Sequence, residues 1–240
     1  MCSPTRCAAS LPPRMPAFFV TGTGTEIGKT FVCAGLIRHL RAALRPVRAL
    51  KPVISGFDAV TAPASDSALL LDALGIPLCD DAIAAISPWR YAAPLSPNMA
   101  ARAEGRSVDL DEVVAFCRQE ISAEPDATVL IEGVGGLMVP LDERRTVLDW
   151  IARLNVPILL IAGSYLGAIS HTLTCVEVLR GRGLPLAAIL VNESADGVAL
   201  QRTVETLGAF ADPSAVVALP RAAGDAERDA VYGRVLSLVR

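Results

Sequence analysis

Aromatic residues make up only 5% of the 240-residue chain, too few for the stacking platform that single-stranded nucleic acid requires. The formal net charge is −3, so no basic surface favours nucleic acid or a membrane. There are two histidines, His39 and His171, and neither has a partner at metal-ligand spacing. The six cysteines (Cys2, Cys7, Cys33, Cys79, Cys117 and Cys175) are scattered, with no Cys-x-x-Cys pair. They read as buried small hydrophobes of a reducing compartment. Hydrophobic residues reach 52%, yet no apolar stretch attains the ~20 residues of a membrane-spanning helix. The longest, Val156 to Gly163, has the length of a buried strand. No Ser-His-Asp or Cys-His set suggests a covalent hydrolase. Residues 1–16 carry four prolines, Arg6 and Arg14 but lack the apolar core of a signal peptide. A disordered extension over 1–16, a single domain over 17–240 and a cytoplasmic location are expected.

What is present begins with Gly22-Thr23-Gly24-Thr25-Glu26-Ile27-Gly28-Lys29-Thr30, directly after the apolar run Ala17-Phe18-Phe19-Val20. This predicts a buried strand, a glycine-containing turn and a helix start. Such a turn aims backbone N–H groups and the positive end of a helix dipole at one point. Lys29 adds a full charge, and Thr30 a hydroxyl able to ligate Mg²⁺. The first glycine is followed by five residues before Gly28-Lys29, one more than the usual phosphate loop, and Thr23 stands in the standard glycine position. A glycine-rich helix cap would explain the turn alone. It does not explain Gly-Lys-Thr placed between a strand and the amphipathic run Phe31 to Leu44. The site is built for a nucleoside triphosphate.

The remaining sequence alternates strand-like and helix-like segments. Strands are expected at Val47 to Val53, Ala127 to Glu132, Val156 to Ala162, Leu186 to Val191 and Val216 to Leu219. Helices are expected at Asp66 to Leu74, Leu110 to Ile121, Val147 to Leu154, Ala168 to Arg182, Val198 to Phe210 and Ala226 to Val239. Strands apolar on both faces and separated by helices predict an α/β fold: a mostly parallel sheet with helices on both faces, in three layers. In such sheets ligands sit at the C-terminal strand ends. Polar residues gather there: Gly22 to Thr30, Lys51 to Ser55, Glu132 to Gly136, Gly163 to Gly167, then Asn192 and Glu193. The segment Ser87 to Ala101, with Pro88, Pro94 and Pro97, is expected to be an ordered loop, either a wall of the site or a surface connection.

Lys51, at a strand end, can neutralise charge on a transferred phosphoryl group, with a solvated surface lysine as the alternative. Glu132 ends an apolar strand, where phosphate-loop proteins keep a metal-coordinating acid. The glycines after it allow close backbone approach to a small ligand. Ser65-Asp66 reads by spacing as a helix N-cap, with a second Mg²⁺ carboxylate as the alternative.

Five blocks in order resemble the dethiobiotin synthase family: Thr21 to Thr30, Lys51-Pro52-Val53-Ile54-Ser55-Gly56, Ala93-Pro94-Leu95-Ser96-Pro97, Glu132-Gly133-Val134-Gly135-Gly136-Leu137 and Gly163 to Thr172. The resemblance runs from about Phe18 to Asn192. It implies a phosphate-loop fold and an ATP- and Mg²⁺-dependent closure of 7,8-diaminononanoate (diaminopelargonate) and CO₂ to dethiobiotin, through a carbamate and its mixed anhydride with phosphate. It implies that Gly24, Thr25, Glu26, Ile27, Gly28, Lys29, Thr30 and Asn192 bind ATP, with Asn192 at the adenine. Lys29, Lys51 and Thr25 would be catalytic, and Thr30, Asp66 and Glu132 would ligate Mg²⁺. Ser55, Gly133, Gly135 and Gly136 would meet the substrate. Gly167, Ala168, Ile169 and Ser170 would donate backbone N–H groups to the substrate carboxylate from the other subunit of a homodimer. The chain departs from the family at Gly24, where an aspartate is common, and at Ser170, where an asparagine is common. Arg221-Ala222-Ala223-Gly224 does not align with the adenine-side loop. The main alternative is a switch ATPase of the partitioning or septum-site type. Those place a lysine five positions before the loop lysine, where this chain has Gly24.

Overall fold

The computed structural model describes residues 17–195, 197–211 and 215–238; the expected extension over 1–16 lies outside them. In chain order the elements are β1 (Phe18–Gly22), α1 (Lys29–Ala42), β2 (Val47–Leu50), β3 (Val53–Ser55), α2 (Asp66–Leu74), α3 (Asp80–Ile86), β4 (Trp89–Tyr91), α4 (Pro97–Ala103), α5 (Leu110–Ala123), β5 (Thr128–Glu132), α6 (Val147–Leu154), β6 (Ile158–Gly163), α7 (Ala168–Gly181), β7 (Leu186–Asn192), α8 (Leu200–Phe210), β8 (Ala215–Leu219) and α9 (Asp225–Leu238). Six strands form one sheet in the order β2-β5-β1-β6-β7-β8, and every pairing in it is parallel. The α/β expectation holds.

Strand alternation explains the layers. Phe18 and Val20 join Leu36, Ile37 and Leu40 of α1 on one face. Phe19 points the other way, onto Trp150 of α6 at 4.9 Å in an edge-to-face contact. Both faces of β1 and β5 are therefore buried, which is why their sequences read as unbroken apolar runs. A third group, with Leu160 and Val191 of β6 and β7, packs on Leu207 of α8. Removing a fully buried side chain such as Trp150 would cost about 3–5 kcal/mol.

Two expectations need correction. Val47 to Val53 is not one strand. Pro52 has no N–H to continue the ladder, and the chain leaves the main sheet after Leu50. It re-forms as β3, which pairs with β4 in a separate two-stranded parallel sheet. Ser87 to Ala101 is not all loop either: it holds β4 and the start of α4, whose first residue, Pro97, needs no helical N–H. The helix α3 was also not anticipated; Cys79 caps it through an N–H···S contact of 3.4 Å from Ala82. Cys79 is exposed rather than a buried hydrophobe, while Cys33 and Cys117 are buried. Among the described residues no helix is long and apolar enough to cross a membrane.

The topology places the site. From β1 the chain first builds to one side, through β2 and β5, and later to the other, through β6, β7 and β8. The crevice where direction reverses lies at the C-terminal end of β1, where the glycine turn emerges.

Candidate active site

Gly28 precedes α1 with φ +89°, and Glu26 adopts φ 57°. Successive residues of this kind turn the N–H groups of the loop inward as an anion cradle. Gly28 is required sterically as well: a Cβ there would lie 2.4 Å from Asn192 Nδ2. The Lys29 ammonium folds back over the loop and donates to Gly24 O at 2.9 Å. The turn after β5 seals the other side. Leu137 N donates to Gly22 O at 3.0 Å, and a Cβ on Gly136 would meet the Gly24 backbone at 3.3 Å. At Gly24 itself a Cβ would meet nothing within 4 Å. The absence of an aspartate there is not forced by packing.

Below the loop, three chain-distant elements converge. Lys51 is 3% exposed and Glu132 1%. Lys51 Nζ donates to Glu132 Oε1 at 2.6 Å and to Gly133 O at 3.0 Å, and pairs with Asp66 Oδ2 at 3.0 Å. All three of its protons are used. Thr30 Oγ1 stands 2.8 Å from both Asp66 Oδ1 and Glu132 Oε1. Its single proton can serve only one of them. Glu132 Oε2 is buried with no hydrogen-bond partner. A hydroxyl and two carboxylates thus crowd together with less positive hydrogen than they can accept, a donor set that suits a hard divalent cation. Among the described residues no cluster of three or more His, Cys, Asp or Glu forms. That pattern fits an ion completed by phosphate oxygens and water better than a full protein cage. Asp66 is the first residue of α2, and the cap is Ser65, whose Oγ accepts from Ala68 N at 3.3 Å. The capping role read for Ser65-Asp66 thus belongs to Ser65 alone.

The charges shape one another. Burial would lower the Lys51 pKa, but Glu132 and Asp66 outweigh it and hold the ammonium above its ordinary range. Burial and the facing Lys51 push Lys29 down to about 8, with Glu132 and Asp66 offsetting only part. Burial would raise Asp66, yet Lys51 and the Thr30 hydroxyl keep it below its usual value.

Two clefts meet at the loop. One, of about 730 Å³, is lined by Thr25, Lys29, Thr30, Lys51, Ser55, Asp66, Glu132 and Gly135, with residues 94–97 as a wall. The other, of about 640 Å³, runs from Gly24–Gly28 past Asn192 to Pro220 and Arg221. Asn192 Nδ2 donates to Ile27 O at 2.7 Å, which fixes the amide in the lining of this cleft. Gly167, Ile169 and Ser170 line neither cleft; they border an open groove beside α7. Ala168 is fully buried and its N–H donates to Tyr165 O at 3.0 Å. Sequence reasoning did not find Phe31, Tyr165 and Arg228, which line the second cleft. The one available signal was Phe31, an aromatic that falls off the buried stripe of α1 and stands 47% exposed.

The chain is similar to known proteins over most of its length. The AAA domain family model matches residues 16–224. An ATP-dependent dethiobiotin synthetase of Acidiphilium cryptum is 52% identical over 197 residues, 80% of this chain and 87% of that protein. Another, from Caulobacter vibrioides, is 46% identical over 208 residues, 87% and 94% of the two chains. Among solved structures, the MinC:MinD cell division complex of Aquifex aeolicus aligns with a TM-score of 0.55 and 10% identity over 94% of each chain. A ParA family ATPase of Chlorobium tepidum aligns with a TM-score of 0.50 and 14% identity, over 94% of this chain and 92% of that one. These distant likenesses establish the phosphate-loop architecture and nothing finer. The near relatives match over most of their own length, and the chain belongs to the ATP-dependent dethiobiotin synthetase family.

Proposed function

We propose that the first cleft closes the ring of dethiobiotin from 7,8-diaminononanoate, CO₂ and ATP, with each role carried by a residue named above. The observation that carries this reading is the convergence of Lys29, Lys51, Thr30, Asp66 and Glu132 at one end of the phosphate cradle. Lys29 and the loop N–H groups hold the β- and γ-phosphates. Thr30, Asp66 and Glu132 hold Mg²⁺, which when bound offsets charge on the phosphate oxygens. One substrate amine captures CO₂ as a carbamate. The carbamate oxygen attacks the γ-phosphorus and ADP leaves. The second amine then attacks the carbamoyl carbon, the cyclic urea closes and phosphate departs. Lys51 guides the charge of the phosphoryl group in flight, and one of its three present hydrogen bonds must open for it to do so. Thr25 and Ser55 flank the carbamate. The backbone of Gly133, Gly135 and Gly136 lines the diamine, where the absence of side chains gives room.

The substrate carboxylate is assigned to the start of α7 in a second copy of the chain. Gly167, Ile169 and Ser170 offer N–H groups with no acceptor among the described residues, and a helix N-terminus favours an anion. The groove beside them carries Ile169, Leu173 and Val178, an apolar surface suited to a homodimer contact. Residues 17–240 act as one domain around the continuous sheet. ATP use and free thiols suit the cytoplasm.

The experiment is phosphate release with ATP, Mg²⁺ and bicarbonate, with and without the diamine, and dethiobiotin detected by mass. Diamine-dependent release with dethiobiotin formed is the expected result. Hydrolysis indifferent to the diamine would turn the reading toward a switch ATPase. Sedimentation at micromolar concentration tests the dimer, and a monomer with full activity would remove the shared site.

A further inference from the structure

The second cleft has a wall built from α1, the residue after β7, the turn after β8 and α9. Arg228 of α9 lays its guanidinium over the Phe31 ring of α1, 5.5 Å from the centroid. Its Nη2 donates to Arg221 O at 3.1 Å. The N–H of the same residue, Arg221, donates to Glu193 Oε2 at 2.9 Å. The backbone of Arg221 is therefore held at both its donor and its acceptor, by side chains from the ends of β7 and α9. Nε is buried without a hydrogen-bond partner, and no bond engages Nη1 among the described residues. Phe31, Arg221 and Arg228 all line the cleft, together with Asn192. Asn192 gives one Nδ2 proton to Ile27 O and keeps its Oδ1 as an acceptor, while Arg228 keeps donor capacity at Nη1.

We propose that Arg228 is a specificity-determining residue for the nucleobase, and that with Asn192 it selects a base carrying an amino group beside an unprotonated ring nitrogen. The inference rests on the phosphate-loop reading above. A base at this end of the loop meets an acceptor from Asn192 and donors from Arg228. Adenine offers the complement, with its N6 amine as donor and an adjacent ring nitrogen as acceptor. Hypoxanthine reverses both, with a carbonyl in place of the amine and an N–H in place of the bare nitrogen. Mismatch of this kind leaves polar groups unpaired and is the strong form of discrimination. Phe31 supplies an apolar, planar platform that also fixes the guanidinium in place.

Calorimetric titration of the full chain in Mg²⁺ with ATP, ITP and inorganic tripolyphosphate tests this. Arg228→Met keeps an unbranched stem over Phe31 and removes the donors. The expected result is about tenfold weaker ATP binding, tripolyphosphate binding within about twofold of the parent, and an ATP-over-ITP preference reduced at least threefold. Equal loss for ATP and tripolyphosphate would overturn the proposal, because Arg228 would then act as a general positive charge. An unchanged ATP-over-ITP ratio would overturn it as well. If Arg228→Met proves misfolded by circular dichroism, Arg228→Lys serves: it keeps the charge, loses the planar donors and should show the same shift in ratio. Failure of the parent protein to bind either ATP or tripolyphosphate would instead remove the phosphate-loop reading on which the proposal rests.

Discussion

The two clefts that share the glycine loop are built from opposite materials. On the Lys51 side, two ammonium groups face two carboxylates, and the decisive pair, Lys51 and Glu132, is almost wholly buried. On the Asn192 side, an amide, an aromatic ring and a guanidinium frame a cleft whose polar groups are mostly half-exposed and in part unspent. A site that must stabilise charge on a phosphoryl group needs full charges held in a low-dielectric setting. A site that must tell one base from another needs donors and acceptors in a fixed pattern, at modest strength. The first kind tolerates little substitution, whereas changes in the second trade affinity and preference by factors of ten.

That contrast can be broken by experiment. On the proposed role of Lys51 at the transferring group, Lys51→Ala is expected to lower kcat by about 10²–10³-fold with KM for ATP within about threefold. Steady-state kinetics with saturating diamine measures both. A large rise in KM with kcat unchanged would make Lys51 a nucleotide anchor and erase the distinction between the clefts.

Stability gives the next test. Glu132→Ala leaves the buried Lys51 ammonium with Asp66 as its one carboxylate partner, at a cost of about 3–5 kcal/mol in denaturant unfolding. Lys51→Met combined with Glu132→Leu should recover most of that loss while remaining inactive. If Glu132→Ala costs no more than a surface substitution, Glu132 is not what holds the buried ammonium.

A smaller effect comes from Lys29. Its pKa of about 8 in the nucleotide-free protein is expected to rise when phosphate oxygens approach it. The protonated form is the one that binds. ATP affinity is thus preserved below pH 8 and falls as pH rises above it, by about tenfold between pH 8.5 and 9.5. Titration calorimetry in two buffers of different ionisation enthalpy should show proton uptake on binding above pH 8. A flat profile from pH 7 to 9.5 would mean that Lys29 is not depressed.

The smallest contrast lies within the loop. Gly28→Ala forces a side chain into a left-handed position and onto Asn192, a strain of about 1–3 kcal/mol that should weaken ATP binding. Gly24→Ala meets open space and should change ATP affinity by no more than about twofold. Equal effects at the two glycines would contradict the loop geometry.

Much of the first cleft is legible in the sequence. A buried strand followed by Gly28-Lys29-Thr30, and another ending at Glu132, announce their roles because each motif fixes its own backbone within a few residues. Asp66 was less legible. Its spacing read as a helix cap, whereas Ser65 takes that task and frees Asp66 to face Thr30 and Lys51. Pro52 was visible, but its consequence, the exit of the chain from the main sheet into pairing with β4, depends on a partner 36 residues away in the register Val53 to Trp89. Arg228 had no local signal for its ring contact, since Phe31 lies far away in sequence on α1.

By itself the sequence determined the alternation of elements, the phosphate loop with its lysine and hydroxyl, and the family blocks in their order. These follow from periodicity, glycine conformation and helix-terminus electrostatics, all of which act over short spans of chain. Only the tertiary structure decided which groups meet. Thr30 reaches Asp66 and Glu132 across 36 and 102 positions. Asn192 spends its amide on the loop backbone, and Arg228 closes the base end over Phe31. Such meetings depend on strand order and parallel register, which bring chain-distant strand ends to one edge of the sheet.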